Sequence, residues 1–100
     1  MKENHVNMGW LWGKREEILR LARQHGAGNV RIFGSIARNE ATSVSDADFL
    51  VEMQEGRTLL DLVAFWQDLE DLLGCRVDVL TDGGISPYLK DQIYAEAKPL

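Results

Sequence analysis

The run Leu59–Leu73 repeats Leu59, Leu62, Val63, Trp66, Leu69 and Leu73 at the spacing of one helix face, and it stands between two runs that read as strands. Thr58, with Asp61 three residues on, gives a short capping box at its start, and Gly74 follows its end. Before it, Asp46–Met53 alternates as a strand does. Asp46, Asp48, Leu50 and Glu52 share one face, and Ala47, Phe49, Val51 and Met53 the other. After it comes Arg76–Thr81, a second strand-like run. Asn29–Phe33 is a further strand closed by Gly34-Ser35, followed by a short helical piece near Ile36–Asn39 and a polar loop over Glu40–Ser45. A helix over Trp10–His25, with Leu11, Ile18 and Ala22 on one face and Gly26 as its stop, precedes these. Ser86 caps a last helix with Pro87 at its first position, running to about Lys98. The predicted order is α-β-α-β-α-β-α. The fold class is therefore α/β (α+β), a small mixed sheet of about three strands flanked by helices.

One hundred residues suffice for one domain and not for two. Met1–Gly9 has no periodic pattern and is expected to be a mobile leader before a domain over 10–100. A net charge of −5 argues against unaided nucleic-acid binding, which draws on a basic surface. It leaves room for a cation-dependent nucleotide site, because a metal screens carboxylates from phosphates. Cys75 stands alone, which excludes an intrachain disulfide and a cysteine-rich zinc site. No stretch has the length and apolarity of a signal peptide or a membrane span, so the expected location is the cytoplasm and no membrane contact is expected.

Asp46 and Asp48 point the same way from one strand, their Cα atoms roughly 6.6 Å apart. Asp78 joins them if the strand Arg76–Thr81 is a neighbour at about 4.8 Å. Three such carboxylates repel one another unless a divalent ion sits among them, and hard oxygen donors suit Mg²⁺, with Mn²⁺ as a substitute. Asp46 alone, after Ser45, reads better as a turn or cap residue. Asp48 and Asp78 interrupt apolar strands, where an unpaired carboxylate is rare. Gly34-Ser35 lets backbone come close to a ligand, its successive N–H groups and the Ser35 hydroxyl being able to hold phosphate oxygens. By itself such a pair is more often an ordinary turn.

Gly34-Ser35, then ten residues, then Asp46-Ala47-Asp48 resembles the signature of the polymerase-beta-like nucleotidyltransferase superfamily. The fuller runs Phe33-Gly34-Ser35-Ile36-Ala37-Arg38 and Ser45-Asp46-Ala47-Asp48-Phe49-Leu50-Val51 are similar to the minimal nucleotidyltransferase (MNT) family of bacteria and archaea. So are Gly56–Leu62, Val77–Thr81 and Ser86–Leu89, and the likeness runs from about the first helix to the C-terminus. The resemblance implies a polymerase-beta-like core that transfers a nucleoside monophosphate from a nucleoside triphosphate to a hydroxyl, with Mg²⁺, releasing pyrophosphate. It implies that Asp46 and Asp48 hold metal, and that Asp78 helps bind the catalytic metal and takes the proton of the attacking hydroxyl. Gly34 and Ser35 hold the triphosphate, with Arg38 a further phosphate contact. Family members commonly carry Gly where this chain has Asn39, and Asn tolerates the left-handed backbone better than most residues.

Members of this size resemble antitoxins whose partners are HEPN-domain ribonuclease toxins. The implied reaction is transfer of AMP from ATP to a tyrosine hydroxyl of the toxin. The alternatives are an antitoxin that masks its partner by binding alone, and a small-molecule nucleotidyltransferase. Three like charges kept together speak against the first, and the lack of an additional domain against the second. Trp66, on the repeating face of its helix, is expected in the core and Phe65 partly at the surface, with Trp10 and Trp12 packed on the domain or in an interface. His25 and Glu52 are expected at the surface and Cys75 as a small buried residue. His5 falls in the leader, with no ligand role.

Overall fold

The computed structural model describes residues 6–42 and 46–100. Helices α1 (Met8–Gly13) and α2 (Arg15–Gln24) lead into β1 (Ala27–Phe33), the single turn α3 (Gly34–Ala37), β2 (Ala47–Met53), α4 (Leu59–Leu73) and β3 (Val77–Thr81). A 3-10 turn at Asp82–Gly84, α5 (Pro87–Glu96) and β4 (Lys98–Pro99) complete the chain. The sheet order is β3-β2-β1-β4. β1 runs antiparallel to β2 and β4, and β2 runs parallel to β3 with α4 as the crossover. The expected mixed sheet is present, and it has one strand more than the sequence predicted.

Strand alternation divides the sheet into two faces. Val30, Ile32, Ala47, Phe49, Val51, Val77 and Val79 pack with Leu11 of α1, Ile18 and Ala22 of α2, and Phe65, Leu69 and Leu73 of α4. The opposite face is narrower: Phe33 and Leu50 close on Ile93 of α5, with Leu80, Ile85 and Ala97 around them. Asp48 and Asp78 belong to this second face, because the register sets Phe33 against Asp48 and Asp48 against Asp78 in one row.

Several expected elements have different bounds. The helix expected over Trp10–His25 is two, broken at Lys14, which ends α1 and starts α2. Gly13 is a poor helix former at that point, while Leu11 and Ile18, seven residues apart, still face the same core. Met8 and Gly9, expected in the leader, are helical, and the Asn7 side chain caps α1 by accepting from Trp10 N–H at 2.8 Å. Residues 1–5, His5 among them, lie outside the described residues. The last helix stops at Glu96 rather than Lys98. Pro99 drives the residue before it to an extended backbone, and Lys98–Pro99 pairs with Arg31 and Ile32 as β4.

Helix α4 keeps its predicted bounds. Thr58 N–H donates to Asp61 at 2.8 Å in a capping box, an arrangement worth about 1 kcal/mol, and Gly74 closes the helix with φ of +66°. This helix then fixes the start of β3. Trp66 Nε1–H donates to the Val77 carbonyl at 2.6 Å, and Glu70 accepts from Val77 N–H at 3.2 Å. The residue after Val77 is Asp78.

Candidate active site

Gly34 turns the chain from β1 into α3 with φ of +77°, a conformation glycine adopts without cost. A Cβ at this position would run into the Asp48 carboxylate. The sequence reading assigned the glycine to close approach of a ligand; the group that comes close is Asp48 itself. Any larger residue at 34 would therefore displace a carboxylate and strain the turn together.

Asp48 and Asp78 are Cα partners on adjacent parallel strands, both half-buried. Asp46 stands just before β2, two residues from Asp48, with its Oδ1 3.8 Å from Arg76 Nε. Burial pushes the Asp48 carboxyl up to about 6, and the negative charges of Asp78, Asp46 and Glu96 add to the rise, while Arg38 opposes it. Among the described residues, no three His, Cys, Asp or Glu side chains stand close enough to form a ready metal cage. Mg²⁺ does not need one: it binds through one or two carboxylates and completes its shell with water and substrate phosphates. The side-by-side pair Asp48–Asp78, crowded by like charge, is a donor set of that kind.

Ser35 lies half-buried in the first turn of α3, and its carbonyl accepts from Glu40 N–H at 2.8 Å. Arg38 caps the C-terminus of α3, and Asn39 follows with φ of +61°, the left-handed conformation expected for it. Arg38 Nε donates to Glu40 at 3.0 Å, and Nη1 to both carboxylate oxygens of Glu96, at 3.0 and 3.2 Å. Glu40 first, and Glu96 after it, hold the guanidinium above its ordinary range.

Glu96 is the site residue the sequence reading missed. Its side chain is 14% exposed, and its Oε2 accepts from Gly34 N–H at 2.7 Å. With the helix read through to Lys98, a basic residue stood in its last turn and nothing singled Glu96 out; with α5 ending at Glu96, its carboxylate opposes the macrodipole and needs a partner elsewhere.

Other expectations resolve locally. The two aromatics of α4 trade the places expected for them: Phe65 is fully buried, and Trp66 only packs beside the core. Trp10 packs partly against the core with Lys14 over its ring, whereas Trp12 is 51% exposed beneath Arg15. His25 is tied to Asp68 of α4 at 2.7 Å rather than simply solvated. Cys75 is half-buried, and Glu52 is exposed, accepting from Asn29 at 2.9 Å. A cleft of about 500 Å³, lined by Met53, Arg57, Leu59, Leu62, Thr81 and Gly83 among others, lies at the far ends of β2 and β3 and includes none of the site carboxylates.

The family profile described as nucleotidyltransferase domain matches residues 15–100. A Methanocaldococcus jannaschii protein, provisionally named a protein adenylyltransferase, is 49% identical over 83% of this chain and 89% of its own length. A solved structure, described provisionally as a minimal nucleotidyltransferase, superposes with a TM-score of 0.85 at 47% identity, covering 97% of this chain and 99% of that one. A chain from the complex of a tri-AMPylated Shewanella oneidensis HEPN toxin with an MNT antitoxin shares the fold, with a TM-score of 0.67 at 20% identity over 88% of this chain and 69% of that one. The chain belongs to the nucleotidyltransferase family and has the minimal nucleotidyltransferase fold.

Proposed function

We propose that this chain is an Mg²⁺-dependent protein adenylyltransferase of the antitoxin type, which moves AMP from ATP to a tyrosine hydroxyl of a HEPN ribonuclease toxin. The observation that carries the reading is the register of Asp48 against Asp78 directly beside the Gly34 turn. The name of the M. jannaschii relative supports a protein acceptor, and the AMPylated toxin in the Shewanella complex supports AMP and a HEPN partner.

In this reading Asp48 and Asp78 hold Mg²⁺, with Asp46 a further ligand. The bound metal supplies charge stabilisation at the attacking and leaving oxygens of an in-line displacement. Gly34 N–H, Ser35 and Arg38 hold the triphosphate at the end of β1. Asp78 takes the proton of the tyrosine hydroxyl, whose oxygen forms the new bond to the α-phosphorus. The bond to the bridging oxygen breaks, and pyrophosphate leaves.

The test is incubation with labelled ATP, Mg²⁺ and a HEPN protein encoded next to this chain, followed by mass spectrometry of the HEPN protein. AMP is expected on a tyrosine, with Asp48→Asn lowering the rate by about 100-fold or more, the scale of losing a preorganised charge contact. A toxin silenced equally well by wild type and Asp48→Asn, and carrying no AMP, would establish masking by binding instead.

A further inference from the structure

We propose that Glu96 is an internal competitor of the nucleotide: its carboxylate occupies the donors that the triphosphate uses, and binding of the nucleotide swings it out. The inference rests on the nucleotidyltransferase reading above and adds a residue to it.

Glu96 Oε2 accepts from Gly34 N–H, the first donor of the turn, at 2.7 Å. The same carboxylate accepts from Arg38 Nη1 with both oxygens, at 3.0 and 3.2 Å. A carboxylate bridging a backbone N–H and a guanidinium presents the oxyanion pattern that a phosphate presents. A single N–H cannot serve both at full strength, so Glu96 and a phosphate oxygen exclude each other at Gly34. Charge works in the same direction. Glu96 sets its negative charge against the Arg38 cation and joins Asp46, Asp48 and Asp78 around the place a polyanion must enter.

The backbone on either side of Glu96 is held. Ile93, one turn earlier, is buried against Phe33 and Leu50. Lys98–Pro99 pairs with β1, and Leu100 N–H donates to the Val30 carbonyl at 3.0 Å. Displacement therefore needs a rotation of the Glu96 side chain, which is fast, and no melting of α5. The Glu96 carboxylate satisfies Gly34 N–H and keeps Arg38 at the site.

The sign of the effect separates this role from a structural one. A residue that only braced the turn would weaken nucleotide binding when changed; a competitor strengthens it. Glu96→Gln retains an oxygen that can accept from Gly34 and Arg38 but removes the charge, and Glu96→Ala removes both. Affinity for AMP-PNP with Mg²⁺, measured by calorimetry, is expected to rise about threefold in Glu96→Gln. About tenfold or more is expected in Glu96→Ala, given what hydrogen bonds to charged groups contribute. Glu96→Gln keeps the test open should Glu96→Ala fold poorly. Wild type that binds AMP-PNP while the folded variants bind it no tighter overturns the competitor and leaves the enzyme reading standing. If neither wild type nor variants bind, the nucleotide site falls and the competitor with it.

Discussion

Asp48 is a costly anion, because burial and three neighbouring carboxylates raise its pKa to about 6 from an ordinary value near 3.8. A carboxyl whose folded pKa is raised binds its proton more tightly folded than unfolded. Its stabilising contribution is complete below the unfolded value and is lost as pH rises through about 6. The group is partly exposed, so the full conversion is discounted to about 1 kcal/mol. With chelator present, Asp48→Asn is expected to melt about 4–8 °C above wild type at pH 7.5. The gap should narrow toward pH 4.5. Thermal unfolding across that range checks it, and a gap that ignores pH would show that the charge is not the cause. Alternation was enough to put Asp46 and Asp48 on one face, whereas Asp78 beside Asp48 depended on β3 pairing with β2, which periodicity within one strand does not fix. Glu96 was not read, since helical periodicity gives its face on α5 but not which strand end α5 reaches.

At the scale of elements, the shortest α-helix sets the geometry of the proposed phosphate site. α3 is a single turn, closed by Asn39 N–H on the Ile36 carbonyl at 3.1 Å and Glu40 N–H on the Ser35 carbonyl at 2.8 Å. With Asn39 at φ of +61°, these bonds form the Schellman pattern and aim Arg38 back at Glu96. Asn39→Gly should therefore keep stability within about 0.5 kcal/mol of wild type, while Asn39→Val should cost about 1–2 kcal/mol, the penalty of a β-branched residue in the left-handed region. Urea unfolding reads both, and a Val variant as stable as wild type would mean that the turn has an alternative closure. The departure at Asn39 was readable because its physics is local. β4 was not, because a two-residue strand exists only through pairing with β1, although Pro99 did mark the end of α5.

The molecule as a whole carries a net charge of −5 and gathers Asp46, Asp48, Asp78 and Glu96 where the proposed substrate, itself a polyanion, must bind. Arg38 is the cation that acts on Asp48 there, and it is already engaged by Glu40 and Glu96. Nucleotide without metal meets repulsion. In the proposed reading, metal without nucleotide would meet the Asp48–Asp78 pair and lack the phosphate oxygens that complete its shell. Each ligand therefore supplies what the other lacks, and their binding should be strongly coupled. Saturating AMP-PNP in chelator should leave Tm unchanged within about 1 °C, and Mg²⁺ alone should raise it by about 1–2 °C. Together, at about 100 times the dissociation constant, they should add roughly 2.7 kcal/mol, or about 10 °C or more in a domain of this size. Asp78→Asn should abolish the joint shift while leaving the fold intact, because Asp78 is half-buried on the narrower face, outside the main core. A melting temperature raised as much by AMP-PNP in chelator as by AMP-PNP with Mg²⁺ would sink the coupling. Arg38 and the α3 turn would then hold the phosphates unaided, and the carboxylates would need a different explanation.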